Sequence, residues 1–272
     1  MNTTLRLFDG YAHTSAELRP QVRELQQALR RKGLNVTVDG HFGPMTQAAV
    51  EEFQMAHNLE PTGIVDRAAW AALEGREAPG VRVFETTLAP GDVSMRVHLH
   101  AAAGYRAFCS RAATLADVPI CIIAGIGSRE SGWGGALRPP GPAGTGDFYP
   151  RATMKPWRIG IIPPDGGGYG RGLMQIDYDA HEFARKGNWQ DPGANILYGG
   201  QVLLENRRHM QRKYADRSWE WQLHASLAAY NCGAGNVDRA VRLGRDLDYY
   251  TSHRDYGRDV LNKAGWFQIN GW

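Results

Sequence analysis

The run Asp117-Val-Pro-Ile-Cys-Ile-Ile-Ala-Gly-Ile-Gly-Ser-Arg-Glu-Ser131 constrains this chain more than any other stretch. Asp117 suits an N-cap, and Pro119 suits a first turn, where a backbone N–H has no helical partner to lose. Pro119, Ile122, Ile123 and Ile126 then recur at three- and four-residue spacing, which predicts a helix over Asp117–Ser131 with one apolar face. Glu130 follows Ile126 by four residues, so the greasy face ends in a carboxyl group. A carboxylate withdrawn from water binds its proton more tightly and remains a donor near neutral pH. The competing reading is a helix that simply stops there, with Glu130 solvated. The downstream sequence favours the donor.

A chain of 272 residues has room for two domains or one large one. The first part announces itself by repetition. Val22, Leu25 and Leu29 mark a helix face ending near Gly33, and a Gly-rich turn over residues 38–47 leads to a helix with Ala49, Val50 and Phe53 inward. The turn returns in weaker form at residues 61–70, with Leu73 closing the core. Asp39-Gly40-x-Phe42-Gly43 and Thr62-Gly63-x-Val65-Asp66 read as two copies of one turn-plus-helix unit, hence a compact three-helix module. Residues 18–75 resemble the three-helix peptidoglycan-binding module attached to many cell-wall hydrolases. That resemblance implies a wall-binding groove near Asp39, Gly40, Phe42, Gly43 and Thr46, although these residues equally suit turn chemistry.

Pro-Gly breaks without helical period make residues 76–92 a linker between a domain over 1–75 and one over 93–272, with a short extended piece at Val81–Phe84. A helix is expected over Val93–Leu115. Residues 132–172 hold much of the Gly and Pro and suit the wall of a cleft, with a small hairpin. Helices near Asn195–Tyr214, Trp219–Ala229, Asn236–Arg242 and Asp255–Ala264 complete a mainly α (α+β) chain.

Three segments carry the chemistry: Ile123 to Ser131, Gly172-Leu-Met-Gln175-Ile-Asp177, and Ala229-Tyr230-Asn231-x-Gly233-x-Gly235-Asn236-Val237. In this order and spacing they resemble goose-type lysozymes and the related soluble lytic transglycosylases, over about residues 105–265. The resemblance implies that Glu130 is the catalytic acid and that Gln175, Tyr230 and Asn231 line a sugar cleft, with Ser131 beside them; the flat rings of Tyr169 and Tyr230 suit stacking on sugar faces and equally suit core packing. It implies two aspartates that position water: Asp177 and, in a loop longer than the family's, Asp165, with Asp147 the competitor. An inverting reaction needs about 6.5–9.5 Å between the two carboxyl groups, whereas transglycosylases manage with the glutamate alone and leave a 1,6-anhydro end. Asp177 also suits a helix cap, and Gln175 and Asn231 suit buried amides.

The reaction expected from the resemblance is cleavage of the β-1,4 bond between N-acetylmuramic acid and N-acetylglucosamine. A wall-binding module before a lysozyme-like domain resembles a bacteriophage endolysin. The N-terminus has no apolar stretch long enough for a signal peptide, so the chain is expected in a host cytoplasm, released to the wall through a holin. The expected partner is peptidoglycan, both glycan strands and peptide stems, met by a monomer that needs no cofactor and inserts in no membrane. A non-catalytic wall-binding tail protein stays open as the alternative; a metal-dependent amidase lacks paired ligand spacing, since a helix would point His98 and His100 apart. Cys109, Cys121 and Cys232 match no zinc spacing and read as reduced core residues.

Charge is unevenly shared. Residues 1–80 hold 8 basic and 10 acidic side chains, for −2, and the 23 basic and 18 acidic residues of the remainder leave +5. Arg207, Arg208, Arg212, Lys213 and Arg217 read as a solvated face, with attraction to an anionic wall or outer-membrane surface as the other option. The excess is small and no recognised motif accompanies it, so nucleic acid is not expected.

Overall fold

The structure is a computed structural model describing residues 3–57, 59, 61–74, 83–149, 151 and 162–272. The chain divides into two compact units, Met1–Arg82 and Val83–Trp272.

The first unit holds helices α1 (Arg19–Arg31), α2 (Pro44–Ala56) and α3 (Arg67–Leu73). Proline opens α1 and α2, and the Asp66 carboxylate caps α3 by accepting from the Ala69 N–H at 2.8 Å. Val22, Leu25, Leu29, Ala49, Val50, Phe53 and Leu73 meet in one core, with Phe42 and Val65 fully buried at matching places in the two turns. The repeat extends to polar contacts. The buried amide of Gln26 in α1 accepts from the Gly40 N–H at 2.8 Å and donates to Asp39, the His41 carbonyl and Thr46. In α2, Gln54 does the same for the second turn, accepting from Gly63 N–H at 3.0 Å and donating to Thr62 and the Ile64 carbonyl. Each helix thus pins the turn that starts the next one. Gly40 and Gly63 have φ of +80° and +66°, a backbone that favours glycine.

The second unit is built from α4 (Val93–Ala103), α5 (Arg106–Ala116), α6 (Ile120–Ser131), α7 (Glu182–Lys186), α8 (Pro192–Lys213), α9 (Trp219–Cys232), α10 (Ala234–Arg242) and α11 (Tyr256–Ile269). Among the described residues between α6 and α7 lie three two-residue strands, β1 (Thr145–Gly146), β2 (Gly170–Arg171) and β3 (Ile176–Asp177), paired antiparallel in that order. No single helix among the described residues is long and apolar enough to cross a membrane.

Several expectations are corrected. Asp117 does not open α6; with φ of 53° it closes α5, and Pro119 takes the N-cap place. The helix expected over 93–115 is two helices broken at Gly104–Tyr105. Part of the expected linker is not one. Phe84 N–H donates to Gln268, Thr86 and Thr87 bond Asn262, and Trp266 donates to the Ala89 carbonyl, so this strip lies along α11. The extended piece at Val81–Phe84 begins outside the described residues. The basic face is not uniformly solvated: Arg207 is buried beside Asp117 at 3.4 Å and stacks on Trp219, while Lys213 pairs with Asp238 at 2.7 Å. Cys109 and Cys121 are buried and Cys232 is partly so.

Candidate active site

Helix α6 is buried on every side, which its sequence permits by placing glycine where neighbours come closest. A Cβ on Gly125 would lie 2.7 Å from the Val260 carbonyl oxygen of α11, and one on Gly127 would lie 2.6 Å from the Trp133 ring. The α6 and α11 backbones therefore touch, and the last turn of α6 lies beside the first turn of α11. That contact brings Tyr256 to Glu130, 126 residues away: the tyrosine hydroxyl donates a short hydrogen bond to Glu130 Oε1. The start of α11 is fixed in turn by the fully buried Asp248, which accepts from the Gly257 N–H at 2.7 Å and is itself held by His224 at 2.8 Å.

Glu130 is partly buried. Loss of hydration pushes its carboxyl up to about 7 from an ordinary 4.5, against the opposing pull of the Tyr256 hydroxyl and the Arg129 charge. Arg129 is fastened away from it, to Asp259 at 2.9 Å and Asp255 at 2.8 Å. Glu130 opens on a cavity of about 430 Å³, lined also by Ser128, Arg129, Asn231, Ser252, His253, Tyr256 and Lys263. This setting allows a carboxylic acid to hold a proton near neutrality beside a space large enough for a substrate.

The other residues singled out in the sequence fall into three groups. Asn231 is exposed on the cavity wall, where its Oδ1 accepts from the Ser252 N–H at 2.8 Å and holds the segment that forms the rim. Tyr230 lies behind: its ring stacks on Tyr256 at 6.4 Å and its hydroxyl donates to the Met174 carbonyl at 3.0 Å. Burial, then the neighbouring Glu130 charge, raises its hydroxyl well above the usual range.

Two residues expected in the cleft prove structural. Ser131 is 1% exposed; its hydroxyl donates to the Leu173 carbonyl at 2.8 Å and accepts from Gly134 N–H, tying α6 to the Gly172-Leu-Met-Gln turn. Tyr169 is 3% exposed beneath the Arg151 guanidinium, 4.1 Å from its ring centre, so its face is already covered. Gln175, at φ of 47°, lays its amide across the sheet: a Cβ at either Gly146 or Gly170 would come within 2.2 Å of its Oε1. Its Nε2 donates to the Gly172 carbonyl at 2.8 Å.

The third group is the aspartates. Asp177 caps the turn after β3 through the Asp179 and Ala180 N–H groups, and its other oxygen meets Arg151 at 2.5 Å. The same guanidinium holds Asp147 at 2.6 Å and approaches Asp179 at 3.6 Å. Asp165 stands apart. It is bound to the buried Arg171 at 2.8 Å, which holds its carboxyl below the ordinary carboxylate range. The neighbour of Asp177 across Arg151 is thus Asp147. Sequence reasoning did not single out Tyr256, Arg151 or the Ser252–Arg254 rim, because none forms a local pattern with Glu130.

In the first unit, Phe42 and Thr46 are turned inward, 0% and 4% exposed, and are corrected from wall contacts to core. Gly40 and Gly43 shape the turn, Gly43 as the N-cap of α2, while the Asp39 side chain remains about half exposed. Among the described residues no group of three or more His, Cys, Asp or Glu side chains is placed to hold a metal ion.

A family model for a peptidoglycan binding domain matches residues 19–73, and one for lysozyme g matches residues 164–271. The lysozyme g of Struthio camelus is 31% identical over 168 residues, covering 62% of this chain and 68% of that protein. The lysozyme g of Gallus gallus is also 31% identical, covering 62% and 65%. A crystal structure of Burkholderia AP3 phage endolysin aligns over 99% of this chain and 100% of that one, at 17% identity and a TM-score of 0.32, too distant to carry an argument. With a peptidoglycan-binding domain in front and a peptidoglycan-degrading glycoside hydrolase domain behind, the chain belongs to the lysozyme g family.

Proposed function

We propose that Glu130 is the general acid that cleaves the β-1,4 bond between N-acetylmuramic acid and N-acetylglucosamine. The observation that carries this reading is a carboxyl pushed up to about 7 at the wall of a 430 Å³ cavity. Because Tyr256 donates to Oε1, the transferable proton belongs on Oε2. It passes to the bridging oxygen as the bond to the anomeric carbon lengthens. The carboxylate left behind is stabilised by the same Tyr256 hydrogen bond and by the Arg129 charge. Asp177 is the carboxylate proposed to orient the attacking water. The bridge through Arg151 supports Asp147, rather than Asp165, as its companion.

A second reading, a lytic transglycosylase in which the sugar's own hydroxyl replaces water, is favoured by one observation: Arg151 already occupies both Asp147 and Asp177. Mass spectrometry of digested sacculi separates the two, with reducing-end muramic acid for hydrolysis and 1,6-anhydro ends for transglycosylation. Glu130→Gln should abolish cutting and leave wall binding intact. Retained cutting removes Glu130 from either mechanism.

The reading extends to host-cell lysis by a phage endolysin, made in the host cytoplasm and passed to the wall through a holin. Its support is the pairing of a wall-binding module with a wall-cutting one.

A further inference from the structure

Beyond the cavity, α10 and the segment that returns to α11 carry arginines that neither the fold nor the reaction uses. Arg245 and Arg254 lie over the Tyr249 ring, at 5.4 and 4.8 Å from its centre. Tyr250 stands edge-on to Tyr249, with ring centres 4.9 Å apart, and takes Arg239 over its own ring at 5.3 Å. All three arginines are exposed. Among the described residues none has a carboxylate partner, because the acids nearby are taken. Asp246 pairs with Arg258 at 2.6 Å, Asp255 with Arg129 at 2.8 Å, and Asp238 with Lys213 at 2.7 Å, His209 at 3.0 Å and Tyr214 at 2.9 Å.

A guanidinium stacked on a ring is held by its face and keeps its N–H edge free, the edge that forks onto a carboxylate. Three like charges gathered without a counter-ion repel one another, so an anion arriving among them is favoured. The cluster also adjoins the cavity. Arg254 follows His253, a residue of the cavity wall, and both hold left-handed backbone at φ of 57° and 56°. That conformation costs about 1 kcal/mol or more per residue. It is kept by Asn231 bonding Ser252 and by Arg258 donating to the Arg254 carbonyl. The strained rim turns from the cavity to the arginine cluster within two residues.

We propose that Arg239, Arg245 and Arg254 on their two tyrosines form a second site, which binds the carboxylates of the peptide stems carried by the glycan strand. The assignment rests on the reading of the cavity as a glycan cleft; a strand seated there carries those carboxylates out past the rim.

The test uses the full chain on three substrates: intact sacculi, sacculi whose stem carboxylates have been converted to amides, and glycan strands stripped of their stems. The variants are R239Q/R245Q, which removes charge, and R239K/R245K, which keeps it. On intact sacculi the Gln pair should lower kcat/KM about three- to tenfold, chiefly through KM, as expected for two exposed ion pairs. The Lys pair should recover most of that loss. Wild type on amidated sacculi should fall at least to the level of the Gln pair, which keeps Arg254, and on stripped glycan the two should be equal. Equal rates on intact sacculi, or the same loss on all three substrates, overturns the site while leaving the cleft reading in place. Failure of wild type to cut any of the three refutes the cleft reading, and this site falls with it.

Discussion

Replacing Glu130 by Gln should make the protein more stable while stopping the reaction, and the gain should depend on pH. In the folded chain the carboxyl holds its proton up to about 7; in the unfolded chain it loses it near 4.5. Below 4.5 both states are protonated and the wild type carries no penalty. As pH rises from 4.5 to 7 the unfolded state releases the proton and the folded state keeps it, so the wild type is destabilised progressively. Above 7 the penalty is complete. A rise from 4.5 to about 7 is worth about 3 kcal/mol, at about 1.4 kcal/mol per factor of ten. Glu130 lines an open cavity where water returns part of this, so about 2 kcal/mol is expected. Gln keeps an acceptor for the Tyr256 hydroxyl, so that hydrogen bond survives. For a unit the size of Val83–Trp272, about 2 kcal/mol corresponds to a melting-temperature gain of about 4–8 °C. Calorimetry of wild type and variant at pH 4 and pH 8, following the transition of this unit, reads the difference. A gain of the same size at both pH values, or no gain at pH 8, refutes the claim that burial raises this proton affinity.

Three further outcomes follow from the contacts. Tyr256→Phe removes a donor that opposes the effect of burial on Glu130, so the alkaline limb of the pH–rate profile should move upward and kcat should fall about tenfold; an unmoved limb contradicts that role. Arg151→Ala should lower the stability of the second unit by about 1–2 kcal/mol in thermal melts, because Asp147, Asp177 and Asp179 lose their shared cation and Tyr169 its cover. Gln26→Ala strands the groups that meet its buried amide, and should cost the first unit about 2–3 kcal/mol and weaken retention on sacculi at raised temperature, with Gln54→Ala close behind.

How much of the site was legible in the sequence varies with the range of the interaction. The α6 periodicity and the carboxyl at its end were readable because helix geometry is local: Ile122, Ile123 and Ile126 are indeed 0% exposed. The turn-plus-helix repeat was readable as spaced glycines, whereas Gln26 and Gln54, which hold those turns, were not. Their partners lie 14 and 9 residues away, across an intervening turn. Ser131 sits within a motif segment and Tyr169 just before one, but both face inward, a direction that position in the sequence does not specify. Asp117 was misassigned because a good N-capping residue also tolerates the left-handed conformation that ends a helix.

By itself, then, the sequence determined where most of the helices lie, that the chain holds a small repeated module before a larger lysozyme-like one, and which glutamate ends a greasy helix, but not the break between α4 and α5 or the short α7. Only tertiary packing decided what surrounds that glutamate. Glycine at 125 lets α11 press against α6, Asp248 fixes where α11 begins, and Tyr256 thereby reaches Glu130. A carboxyl's proton affinity depends on the water it has lost and the donors it has met, and both are supplied by residues more than a hundred positions away.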